Sequence, residues 1–200
     1  MANARKYLDQ LFISKVRIKA IHYFFSHPDE AIHLRGAVRE LDEEINAVRR
    51  ELTRMEEIKM VTVENKGNRR YFKLNPEFVF FSELLGIVHK SFGLGGEILA
   101  NAKKLGEIEF AFLTQRFTHK RQFGSNQIDL VVIGDVDLKL LDSIVSHEEN
   151  RSKSQIHYSV LSVADLELRR KRKDAFVGQL LMQKRLMLIG DEVQFIGKGI

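Results

Sequence analysis

Two short runs of this 200-residue chain carry side chains able to hold a polyanion. The first is Asn46, Arg49, Arg50, Thr53 and Arg54; the second is Lys66, Asn68 and Arg69. Guanidinium and ammonium groups neutralise phosphate, while amide and hydroxyl groups exchange hydrogen bonds with base edges. At 100° per residue the first run shares one side of a helix. Ile45, Val48, Leu52 and Met55 fall on the other side and are expected to face inward. The partner that this chemistry fits is double-stranded DNA.

Other chemistries find little support. The chain has no cysteine, which excludes disulfides and thiolate metal ligands. Its seven histidines (22, 27, 33, 89, 119, 147 and 157) include no His-x₃-His pair, so no metal site is expected. Gly93-Leu-Gly-Gly96 is followed by no Lys-Ser or Lys-Thr and is not a phosphate loop. Ser125 and Ser162 lack a nucleophile-elbow context, and no catalytic residue is assigned. The 14 phenylalanines stand at core spacing rather than as stacking platforms. The net charge is +5, and residues 1–75 hold most of the excess, with 15 Lys and Arg against 11 Asp and Glu. Positive charge therefore gathers with the candidate reading residues, as phosphate attraction requires. No apolar run reaches membrane-spanning length, and MANARKYLDQ has no signal-peptide apolar region. A soluble cytoplasmic protein with no membrane partner is expected.

The elements that must hold these residues can be read from pattern. Ser14 caps a helix with Val16, Ile18, Ile21, Phe24 and Phe25 inward, ended at His27-Pro28-Asp29. Ala31–Leu34 suits a small strand, Arg35–Leu41 a short helix, and Asp42-Glu-Glu44 a turn into the helix that begins at Ile45. The acids of that turn favour the helix dipole and are expected to face away from DNA. Val61–Glu64 and Arg69–Leu74 form a hairpin whose turn, Asn65–Asn68, contains Gly67 for positive φ. Helix, turn, helix and basic hairpin in this order are the layout of a winged helix-turn-helix. Asn75-Pro76-Glu77 reads as the start of an apolar helix, Ser91–Gly96 as a hinge, and Glu97–Leu105 as a helix stopped by Gly106. Beyond it, strands at 108–113, 129–133, 155–161 and 185–189 alternate with helices at 137–145, 163–170 and 175–183. The run Asp129–Ile133 is apolar enough for a strand buried on both faces. Arg169–Lys173 is basic, and a helix C-terminus accommodates it.

Residues 15–74 resemble the winged-helix regulators of the arsenic-repressor type. The resemblance is carried by Lys15-Val-Arg-Ile-Lys19, Leu34-Arg-Gly-Ala-Val-Arg-Glu-Leu41, Asn46-Ala-Val-Arg-Arg-Glu-Leu52 and Gly67-Asn-Arg-Arg-Tyr-Phe-Lys-Leu74. It implies that the third helix enters the major groove through Asn46, Arg49, Arg50 and Thr53. It implies that the wing touches the flanking backbone or minor groove through Lys66, Asn68 and Arg69.

Residues 107–190 resemble a minimal nucleotidyltransferase domain, on the frame Phe110–Phe117 and Gly124–Gly134. That family sets a Gly-Ser pair after its first strand, an acid-x-acid pair before the second, and often an acid on a later strand. The resemblance implies a triphosphate site and two divalent ions. This chain departs from the pattern at each point. Gln115-Arg116 replaces Gly-Ser, Gln127 replaces the first acid, and His157 stands at the later-strand position, leaving Asp129 alone. Gln115, Arg116 and Asp129 are what remains of a nucleotide site. Asp135 and Asp137 belong to the far end of the second strand.

The expected class is α+β: an N-terminal winged helix-turn-helix (1–75), linker and dimerisation helices (76–106), and a C-terminal α/β nucleotidyltransferase-like domain with a small mixed sheet (107–200). The expected function is a homodimeric DNA-binding transcriptional regulator. Its catalytically degenerate second domain serves dimerisation or the sensing of a small-molecule or nucleotide effector, and no cofactor is expected. The alternatives are an active nucleotidyltransferase using Mg²⁺ and a nucleotide to modify RNA or protein, and an antitoxin-like or scaffold partner.

Overall fold

The computed structural model describes residues 4–119 and 128–197. The chain is α+β and divides into two compact units, one over residues 5–91 and the other from Phe92 onward. This boundary falls inside the expected linker.

The first unit begins with α1 (Ala4–Leu11) and α2 (Lys15–Ser26). Ser14 caps α2, its Oγ accepting from Arg17 N–H at 3.2 Å. Then come β1 (Ala31–His33), α3 (Leu34–Leu41), α4 (Ile45–Glu57), β2 (Val61–Lys66), β3 (Arg69–Leu74) and α5 (Phe81–Ser91). The three strands form an antiparallel sheet in the order β1-β3-β2, with Lys66 opposite Arg69 at the hairpin tip. Gly67 there has φ +59°, as its place in the turn requires. Phe24, Phe25, Val48, Leu52, Met55, Phe72 and Leu74 are buried. The expected small strand, short helix, reading helix and hairpin thus lie within a residue or two of their sequence-based positions.

Two expectations need correction in this unit, and one buried residue was not foreseen. Ile45 is not inward; it is 37% exposed at the first position of α4. Residue 51 of that helix is instead a buried carboxylate, with Glu51 4% exposed. Pro76 does not start a helix. The Asn75 carboxamide oxygen accepts from Glu77 N–H, and Phe78 N–H and Phe81 N–H each close a turn, so α5 begins only at Phe81. Asn75 caps a turn instead of a helix, a competing use of the same short side chain.

The second unit contains α6 (Gly93–Asn101), β4 (Gly106–Thr114), α7 (Gln115–His119), β5 (Leu130–Val136), α8 (Leu138–Ser152), β6 (Tyr158–Leu161), α9 (Val163–Lys171), α10 (Ala175–Met182), β7 (Arg185–Ile189) and α11 (Glu192–Gly197). Its sheet is mixed, in the order β6-β5-β4-β7: β4 runs antiparallel to β5 and β7, and β5 parallel to β6. Ala111, Leu113, Leu130 and Val132 pack on one side with Leu94 and Ile98 of α6 and Leu141, Ile144 and Val145 of α8. Phe110, Phe112, Val131 and Ile133 pack on the other with Leu166, Val177, Leu180 and Phe195 of α9, α10 and α11. Helices on both faces explain why Leu130–Ile133 of β5 is an unbroken apolar run. The expected hinge at 91–96 is mostly helix: α6 starts at Gly93, with Leu94, Gly95 and Ile98 buried. The α11 helix was not foreseen. No helix of the described residues is long and apolar enough to cross a membrane.

Candidate nucleic-acid interface

The turn before α4 is built from its own acids. Asp42 takes the left-handed conformation at φ 48°, where aspartate is tolerated without glycine. Glu44 is the N-cap: its Oε2 accepts from Asn46 N–H at 2.8 Å and Ala47 N–H at 2.9 Å. Those bonds hold its carboxyl below the usual glutamate range, with Arg50 and Arg49 adding to the effect. Glu43 pairs with Lys19 at 2.7 Å, and Lys19 Nζ also donates to the Leu41 carbonyl at 2.8 Å.

The axial position of α4 is set from behind. Arg17 of α2 donates from Nε to Glu51 at 2.7 Å and from Nη2 to its second oxygen at 3.4 Å. This bond also raises the Arg17 pKa. Sequence reading missed Glu51. The signal was there: residue 51 is three after Val48 and four before Met55, both inward, so the helical period alone puts it in the buried arc.

Asn46, Arg49, Arg50, Thr53 and Arg54 are all exposed. Arg49 Nη1 donates to Asn46 Oδ1 at 2.8 Å, so two of the five are preset against each other. Arg54 leans on Glu51 at 3.7 Å. Arg50 makes no hydrogen bond or ion pair among the described residues. On the hairpin, Lys66, Asn68 and Arg69 are exposed, with Lys66 3.1 Å from Glu64. Arg70 is anchored: both oxygens of Glu56 lie 2.6 Å from its Nη2, and its guanidinium sits 5.5 Å from the Phe72 ring centroid.

Helix and hairpin meet in a cleft of about 490 Å³, whose lining includes Arg35, Arg49, Thr53, Asn68, Arg69 and Arg70. No carboxylate lines it. Thus Arg49, Thr53, Asn68 and Arg69 are brought together, while Asn46, Arg50, Arg54 and Lys66 lie outside the cleft lining. Arg35 was missed. The β1–β3 pairing sets His33 opposite Tyr71 and so carries the start of α3 beside the hairpin. Combining the expected small strand with the expected wing would have found it.

In the second unit, the residues expected from the resemblance are closed on one another. Arg116 of α7 donates from Nη1 to both oxygens of Asp129 at 2.6 Å. His157 N–H reaches Asp129 Oδ2 at 2.9 Å, and the His157 ring lies 3.7 Å away. The Asp129 side chain is 5% exposed. Gln115 N–H donates to the Lys184 carbonyl at 3.2 Å, tying α7 to the approach of β7. Asp135 lies in β5 near its far end, about 20 Å along the strand from Asp129, and Asp137, just past that end, caps α8. Gln127, Gly124 and Ser125 lie outside the described residues. A two-metal centre needs several carboxylate oxygens in one place. Asp129 supplies one carboxylate, and a guanidinium and a backbone N–H already occupy it. These residues do not fit a magnesium pair, and no step through one is derived.

No protein-family model, curated protein or solved structure matches the chain.

Proposed function

We propose that the protein is a DNA-binding regulator whose first unit reads a duplex through α4 and the β2–β3 hairpin. The observation that carries this reading is the arginine-rich, carboxylate-free cleft that helix and hairpin share. The exposure of Asn46, Arg50 and Arg54 beside it supports the reading, as does the use of the turn acids in capping and in the Lys19 pair. In this reading α4 lies in the major groove and Lys66, Asn68 and Arg69 flank it on the backbone. Arg35 joins the phosphate contacts.

The second unit, in the same proposal, keeps a nucleotidyltransferase-like frame without the reaction. An antiparallel pair followed by a parallel strand across α8 supports the frame, and the Arg116–Asp129 pair supports the loss of chemistry. It serves dimerisation or effector sensing. Fluorescence anisotropy with genomic duplexes over a salt series tests the whole reading. Binding that weakens linearly in log salt is expected, and absence of binding at low salt overturns it.

A further inference from the structure

A second arrangement in the second unit is not used by the DNA reading. Arg185 opens β7 and Arg170 lies in α9, and their guanidinium groups stand 4.8 and 5.2 Å from the ring centroid of Phe195 in α11. Arg185 also lies 5.4 Å from the Phe112 ring, and its side chain is 2% exposed. Arg185 Nη2 donates to the carbonyls of Leu181 at 2.6 Å and Gln183 at 2.8 Å, and Arg170 Nη2 donates to the Phe195 carbonyl. Carbonyl oxygens carry no full charge, so these bonds orient the two cations without neutralising them. The carboxylate facing Arg185 is Glu192, half exposed and 3.7 Å from Nε.

Four more nitrogens are sealed from solvent with no hydrogen-bond partner among the described residues: Arg170 Nε and Nη1, Arg185 Nη1 and Gln183 Nε2. All are N–H donors, and no unmet acceptor accompanies them. Burial holds both guanidinium groups below the usual arginine range, against the charge of Glu167 on Arg170 and of Glu192 on Arg185, and Arg170 pushes Arg185 further down. Buried like charges with spare donors are what an entering oxyanion would satisfy.

We propose that Arg170, Arg185 and Gln183 form a binding site for a phosphate-type oxyanion, with the Glu192 carboxylate as its gate. The oxyanion takes the unused N–H groups of the two arginines, and Glu192 swings to solvent as it enters. The site stands independently of the DNA reading. Its ligand is inorganic phosphate or the phosphoryl group of a nucleotide, which share this chemistry.

Isothermal titration calorimetry of the full chain with inorganic phosphate, and separately with AMP, tests the site. One-to-one binding is expected, weakened at least tenfold in Arg170→Met and tightened severalfold in Glu192→Gln, where the competing charge is gone. Equal affinity for the two probes identifies free phosphate as the ligand, and tighter AMP binding identifies a nucleotide. No binding heat in either the wild-type protein or Glu192→Gln, with circular dichroism showing both folded, overturns the proposal. So does wild-type affinity in Arg170→Met, or a phosphate-induced rise in Tm of equal size in that variant, which marks a general salt effect.

Discussion

Among the exposed side chains of α4, Arg50 and Arg69 of the hairpin should fail in different ways when removed. Arg50 is exposed and makes no hydrogen bond or ion pair among the described residues, so under the proposed function Arg50→Ala is expected to weaken the best duplex by about 1–3 kcal/mol and to relax sequence preference. Arg69→Ala should weaken all duplexes alike. Anisotropy against matched and scrambled sequences separates the two, and identical losses for both variants would refute the division of roles. A different titration belongs to Tyr158, which donates its hydroxyl hydrogen to Asp142. That bond, then burial, then the charges of Asp142 and Glu149 push the phenol up from 10.0 to about 12. The folded chain therefore holds this proton more tightly than the unfolded chain. The resulting stability is whole below pH 10 and is lost as the pH climbs towards 12. Burial, with the charges of Glu30 and Glu40, also raises Tyr23, so ultraviolet absorbance should show late-ionising tyrosine signal that Tyr158→Phe reduces.

At the scale of elements, the Arg17–Glu51 pair ties α4 to α2, and close backbone approaches at Gly106 and Gly134 join β4 to β5. Arg17→Ala should cost about 2 kcal/mol, because it leaves the buried Glu51 with only the distant Arg54. Urea denaturation reads this, and a loss under 0.5 kcal/mol, within the ordinary range for a surface substitution, would remove the pair from the account. Gly134 has φ +147°, and a Cβ there would stand 2.2 Å from the Glu107 carbonyl oxygen beside the β4–β5 irregularity. Gly134→Ala should lower stability by roughly 1–3 kcal/mol. Elements with strong local signals were legible in the sequence: the Ser14 cap, the Gly67 turn and the apolar start of β5. Those decided by tertiary packing were not. Three glycines argue against a helix at 93–96, yet burial of Leu94 and Ile98 outweighs their propensity. Asn75-Pro76 spells a helix start, and the chain spends the same carboxamide on a turn. At the candidate sites, the shared exposed face of Asn46, Arg49, Arg50, Thr53 and Arg54 was legible from the helical period. The Arg116 lock on Asp129 was not, because the two are 13 residues apart in sequence and nothing local links them.

For the molecule as a whole, salt is the informative variable. If one head neutralises about four phosphates, log affinity should fall with log salt at a slope of about −3 to −4. A homodimer engaging two half-sites should roughly double it, and sedimentation at the same protein concentration would show whether the doubling tracks assembly. A slope near zero would remove the electrostatic basis of the reading.

The three-stranded sheet of the first unit bears on how such a protein could change its target. β3 is flanked on both sides only from Tyr71 to Lys73, where β1 and β2 both pair with it. Residues 66–69 project past that clasp, and none of their side chains is buried. Replacements at Lys66, Asn68 and Arg69, though not at Gly67 with its φ of +59°, should alter what the hairpin touches while leaving the melting temperature almost unmoved. Under the proposed function, overall hold on a duplex is then adjustable at the tip without the fold having to be repaired.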